Sequence, residues 1–151
     1  MNAKSRKKVV VAGHICLDIT PVFPEACRGE IQQLIVPRKL INVENAQEHI
    51  GGAVANTGLA MAFFGSDVQL MGKVGQDEFG ENVTRIVKSH GVSERMIASK
   101  TSHTSYSIVL ALPGHDRFFC ITRAPMTPLN LKTWIWKPSN KLPCFTLAIH
   151  L

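Results

Sequence analysis

Residues 51–80 read GGAVANTGLAMAFFGSDVQLMGKVGQDEFG, and this stretch decides the fold class. Residues 53–64 form a predicted helix rich in small side chains, closed by Gly65. Residues 67–71 follow as a short apolar strand. Asp77 then has the character of an N-cap. Beyond it, Phe79, Val83, Ile86 and Val87 recur at helical spacing, and Gly91 supplies the stop. Glu78 and Glu81 sit in the first turn of this second helix and Arg85, Lys88 and His90 in its last, which suits the helix dipole. Helices alternating with a buried strand build a layered α/β domain.

Working outward, the valine run at Lys8–Gly13 predicts a buried first strand. Residues 21–30 read as a loop, and residues 31–50 as two short strands, around Ile35 and at 40–43. Downstream, residues 105–112 and 117–119 predict a strand pair turning at Pro113-Gly114-His115-Asp116. The order strand, small β insert, helix, strand, helix, hairpin implies parallel pairing in the main sheet.

The bulk properties exclude several classes. With 151 residues, 45% hydrophobic and 19% charged, the chain is long enough for one globular core. No apolar run approaches a membrane span, so no membrane partner is expected. Cys16, Cys27, Cys120 and Cys144 show no C-x-x-C spacing, and the six histidines form no H-x-x-x-H pair. No metal site is therefore expected, and free thiols suit a reducing cytoplasm. The net charge of +6 is concentrated at the end: residues 1–119 carry 13 basic and 11 acidic side chains, whereas residues 120–151 carry four bases and no acid. A nucleic-acid surface spread over the fold is not indicated.

Three local patterns carry chemistry. The first strand runs into Gly13-His14-Ile15-Cys16-Leu17-Asp18. A carboxylate beyond the C-terminal end of a buried strand lies where α/β sheets bind ligands, and Asp18 can accept hydrogen bonds from neighbouring hydroxyls. Standing alone, it reads better as a turn or capping aspartate. Gly51 and Gly52 precede a helix, where they permit close backbone approach, and Asn56 follows with an amide that both donates and accepts. A tight turn with a polar surface asparagine is the even alternative. The third pattern, residues 72–80 (GKVGQDEFG), lacks dinucleotide-binding spacing and reads as a strand–loop–helix joint. A phosphate loop after the first strand is excluded by the bulk of His14-Ile15-Cys16-Leu17.

Taken together, VVVAGHICLD, GGAVANTGLAMAFFG, VQLMGKVGQDEFG and TSYSIVLALPGHDRFF resemble the PfkB/ribokinase family of carbohydrate kinases, in order and over residues 8–119. The resemblance implies an incomplete ribokinase-like doubly wound sheet with a small β-sheet lid, its strands within 31–50 and 105–119. It implies that Asp18 and Asn56 contact a sugar or nucleoside and that Gly51 and Gly52 form a hinge. It also implies a possible homodimer through the lid. Full-length family members transfer phosphate from ATP with Mg²⁺, using a catalytic aspartate in a C-terminal G-x-G-D. No glycine follows Gly114 in this chain, so no catalytic residue is assigned. Neither ATP nor Mg²⁺ is expected to bind, and the chain is expected to be inactive alone.

Residues 120–151 change character: all 11 glycines precede them, and Pro125, Pro128, Pro138 and Pro143 interrupt them. They show no strand or helix periodicity and read as an out-of-frame continuation. Met and Trp have single codons, so a one-base shift forces Asp at Met126–Thr127, Asp at Trp134–Ile135 and Glu at Trp136–Lys137. A compatible choice of the other bases yields PGAND and HFGYPP, which resemble the family's continuation.

Overall fold

The computed structural model describes residues 8–29, 32, 35–122 and the strand at 145–149. Two four-stranded sheets organise them. The main sheet is wholly parallel, in the order β5 (Ser93–Ser99), β4 (Asp67–Gly75), β1 (Lys8–Gly13), β8 (Phe145–Ile149). The smaller sheet runs β3 (Gln47–Gly51), β2 (Cys16–Thr20), β6 (Tyr106–Leu110), β7 (Phe118–Thr122).

Helices α1 (Gly52–Phe63) and α2 (Glu78–Ser89) pack on the same face of the main sheet. The alternation of a strand dictates which side chains meet them. Val11 of β1 and Val68 and Leu70 of β4 join Val54 and Ala55 of α1 and Val83 and Val87 of α2 in one cluster. Val10, Ala12 and Met71 point to the opposite face and form a separate buried cluster. The predicted stripe on α2 is the buried one: Val83 and Val87 are fully buried, with Phe79 and Ile86 packed beside them. Burial of a side chain of this size contributes about 1.5–3 kcal/mol. Among the described residues the winding covers one face, so the sheet is a partial doubly wound one.

The helix ends follow the sequence expectations. Asp77 accepts from Gly80 N–H at 2.9 Å, and Gly91 ends α2 at φ 68° with its N–H on Lys88 O at 3.0 Å. The turn between β6 and β7 falls one residue earlier than expected. His115 N–H returns to Leu112 O at 3.1 Å, with Pro113 and Gly114 (φ 85°) at its centre. Pro at the second and Gly with positive φ at the third position is type II turn chemistry.

Other expectations are corrected. Among the described residues no strand forms at 35–46, and the insert supplies only β3, at its end; the strand expected around Ile35 falls partly outside the described residues. Pro37 lacks an N–H and Arg38 adopts φ 66°, so the chain turns there, and Leu40 is 92% exposed. The smaller sheet gains β2 instead, over residues to which the sequence reading assigns no element. A further strand, β5, follows α2. β7 runs past Phe119 to Thr122, and β8 forms after Pro143 within the stretch read as lacking periodicity. Pro is compatible with a position before a strand, and FTLAI has strand composition.

The small sheet is docked on α2 at two points. Glu48 of β3 accepts from Arg85 Nη2 and Asn82 Nδ2, each at 3.3 Å. Phe79 meets Tyr106 of β6 edge to face, with ring centroids 5.1 Å apart.

Candidate functional site

The chain leaves β1 toward β4 and β5 on one side and places β8 on the other. β1 is thus a point where strand order reverses, and its carboxyl end is where open α/β sheets bind ligands. His14, the first residue after β1, accepts from Val54 N–H of α1 at 3.1 Å through its carbonyl. The start of α1 is thereby anchored to the end of β1.

Asp18 and the glycine pair come together at this place. β2 pairs antiparallel with β3, setting Cys16 opposite Gly51 and Asp18 opposite His49. The Asp18 carboxylate folds back onto Gly51, where a β-carbon would lie 2.2 Å from Oδ2. Gly52 has φ 86°, and a β-carbon there would lie 2.7 Å from His14 O. The first glycine makes room for a carboxylate, and the second makes a backbone turn that L side chains rarely adopt. Asn56 lies one helical turn beyond Gly52, exposed to solvent. The structure thus brings Asp18, Gly51 and Gly52 into one group and leaves Asn56 on the adjoining turn of α1.

Two residues missed by sequence reasoning complete the group. Ser107 of β6 is the register partner of Asp18 in the parallel β2–β6 pair, and its hydroxyl donates to Asp18 Oδ1 at 2.5 Å. Cys16 donates its thiol proton to the same oxygen at 3.5 Å. Burial first, then the charge of Asp18 and that hydrogen bond, push the Cys16 thiol up to about 12. A signal for Ser107 did exist. It shares the inward phase of its strand with Val109, and an inward hydroxyl needs a buried partner.

The 72–80 segment is a joint, as its spacing suggested. Asp77 accepts from Thr104 N–H at 2.8 Å and Thr104 Oγ1 at 2.6 Å, besides capping α2. Thr104 Oγ1 in turn accepts from Gly75 N–H at 2.8 Å. Burial raises the Asp77 carboxyl, but the Thr104 and Gly80 hydrogen bonds, with His103 nearby, outweigh it and hold the group below its ordinary value. A groove of about 630 Å³ lies on α2, lined in part by Gln76, Asp77, Glu81, Thr84, Arg85 and Lys88. It holds none of Asp18, Gly51, Gly52 and Asn56. Its cations are already paired, Arg85 with Glu48 at 3.3 Å and Lys88 with Glu94 at 3.7 Å.

Among the described residues no three His, Cys, Asp or Glu gather as metal ligands. No described helix is long and apolar enough to cross a membrane.

Comparison with known proteins places this geometry in context. The family model described as pfkB family carbohydrate kinase matches residues 6–143. The bifunctional protein HldE of Hydrogenovibrio crunogenus is 31% identical over 107 residues, covering 67% of this chain and 20% of that protein. Fructokinase-1 of Zea mays is 25% identical over 130 residues, covering 85% of this chain and 36% of that protein. Among solved structures, ribokinase from Giardia lamblia superposes with a TM-score of 0.61 at 17% identity, covering 78% of this chain and 36% of that one. The fructokinase with bound ATP from Xylella fastidiosa gives 0.55 at 24%, covering 78% of this chain and 33% of that one. The structural likenesses establish a partial ribokinase fold. The chain spans between 20% and 36% of the length of these four proteins.

Proposed function

Because the chain belongs to the pfkB family carbohydrate kinases, we propose that it supplies the sugar-binding half of such a kinase and holds a sugar at Asp18 without transferring phosphate on its own. The observation that carries this reading is the Asp18 carboxylate, fixed on Gly51 just past the carboxyl end of β1. A hydroxyl-rich ligand needs a fixed acceptor at such a place, and Asn56 on the adjoining turn of α1 offers both a donor and an acceptor. The small sheet, docked on α2, is the lid over that position.

We propose no role for ATP or Mg²⁺ at the described residues. They gather no metal-ligand cluster, and no glycine after Gly114 is available for a G-x-G-D anion hole. No step through either group is assigned to them. Phosphoryl transfer depends on positioning and charge stabilisation around the transferring group, which these residues do not offer.

Self-association through the lid is a compatible second property. β7 pairs only with β6 among the described strands, and Phe119 and Ile121 on it are 58% and 56% exposed.

The test is a calorimetric titration of the full chain with D-fructose and D-ribose, beside an assay for sugar phosphate in the presence of ATP and Mg²⁺. Saturable binding that Asp18→Asn abolishes, with no phosphorylated product, is the expected result. Product formation by the pure chain, or binding indifferent to Asp18→Asn, overturns the reading.

A further inference from the structure

We propose that Ser107 and Cys16 are positioning residues of the sugar site: together they occupy one oxygen of Asp18 and leave the other to face the ligand. The inference rests on the reading of Asp18 as the sugar acceptor and adds two side chains to it.

The geometry comes from three strands. Cys16 and Asp18 lie on the same side of β2, two residues apart. Ser107 stands opposite Asp18 on β6, and Gly51 ends β3. Ser107 is 5% exposed, and its hydroxyl donates to Oδ1 at 2.5 Å; the Cys16 thiol donates to the same oxygen at 3.5 Å. A carboxylate oxygen has about two acceptor positions, so Oδ1 is filled. No described residue donates to Oδ2, which rests over the α-carbon of Gly51.

Two consequences follow for a ligand. The carboxylate is already fixed before binding, so the ligand does not bear the cost of ordering it. It also presents a single oxygen. Neighbouring hydroxyls must converge on Oδ2 rather than span both oxygens. The Ser107 bond is the stronger of the two, because an oxygen donor to a carboxylate is charge-assisted and a thiol is a weak donor. Cys16 keeps its proton through the neutral range, since burial and the adjacent charge push its thiol up to about 12.

The experiment uses the full chain, titrated calorimetrically with D-fructose and D-ribose as Ser107→Ala, Ser107→Thr, Cys16→Ala and Asp18→Asn variants. Loss of the Ser107 donor is expected to weaken binding about tenfold, the size of one charge-assisted hydrogen bond, and Ser107→Thr to restore it to within about twofold. Cys16→Ala is expected to weaken it by only about two- to threefold. Alkylation of Cys16, followed peptide by peptide by mass spectrometry, supplies a readout that needs no sugar. Asp18→Asn is expected to accelerate it, and bound sugar to slow it. Unchanged binding in Ser107→Ala while Asp18→Asn abolishes binding overturns the proposal alone. No sugar binding by the wild-type chain overturns it together with the reading of the site. Alkylation of Cys16 that ignores Asp18→Asn removes Cys16 from the pair.

Discussion

The carboxylate of Asp18 lies against the α-carbon of Gly51, so that a β-carbon built there starts 2.2 Å from Oδ2 and 2.6 Å from Cγ. Gly51 has φ −117°, a conformation open to any residue, so its need for glycine is purely steric. Gly51→Ala is expected to push Asp18 off its seat. Overpacking of this kind costs about 1–3 kcal/mol, and sugar affinity should fall more than about tenfold with the loss of the acceptor. Urea unfolding and calorimetry measure the two effects separately. Wild-type affinity in Gly51→Ala would show that the ligand does not use this carboxylate.

Asp77 governs a second prediction, on pH. Burial raises its carboxyl, but hydrogen bonds from Thr104 and Gly80 lower it further, so its folded value lies below the ordinary 3.8. A depressed carboxyl stabilises the fold fully above its unfolded value, and that contribution disappears as pH falls through the folded value. The urea midpoint of the wild type should therefore drop more steeply than that of Asp77→Asn between about pH 5 and pH 2.5. Parallel curves would show that the Thr104 bonds are not made to the charged form. At neutral pH, Asp77→Ala loses both the cap and the Thr104 partner and should cost about 2–3 kcal/mol.

The cysteines differ in reactivity for a structural reason. Cys16 is half-buried beside Asp18 with its thiol pushed up to about 12, whereas Cys120 on β7 is exposed. The thiolate is the reacting species, so iodoacetamide at mildly alkaline pH should label Cys120 at least about tenfold faster than Cys16. Equal rates would mean that Cys16 does not face the carboxylate.

The final prediction concerns the gene. If residues 120–151 are an out-of-frame continuation, resequencing across the codons for Arg117 to Cys120 should reveal one additional base. The open frame should then run to a G-x-G-D. An unchanged sequence there overturns the out-of-frame reading of residues 120–151.

Much of the fold was legible because it is local. The stripe of Phe79, Val83, Ile86 and Val87 predicts which face of α2 is buried, since a helix repeats its faces every three to four residues. The Asp77 cap and the Gly91 stop depend on neighbours within one turn. The insert was misread because Ile35, Val36, Leu40 and Val43 are apolar yet exposed, and pattern alone treats an apolar residue as buried. That Asp18, Gly51 and Gly52 belong to one group was suggested by the run of family motifs, and the structure brings these three together. Cys16 and Ser107 were missed: the inward phase that Ser107 shares with Val109 marks it as buried but does not name its partner, and a lone thiol carries no pattern.

What the sequence by itself determined are the helices, their caps, the Pro113–Gly114 turn and the run of family motifs. Each is encoded in contacts between residues a few positions apart. What only the tertiary structure decided is the order of strands and the partner of Asp18. Ser107 is 89 residues from Asp18 in the chain, and β8 pairs with β1 across most of its length. A hydrogen bond between distant strands leaves no periodic trace. It exists only once the sheet's register brings donor and acceptor together, and the cost of burying an unpaired hydroxyl then holds the pair in place.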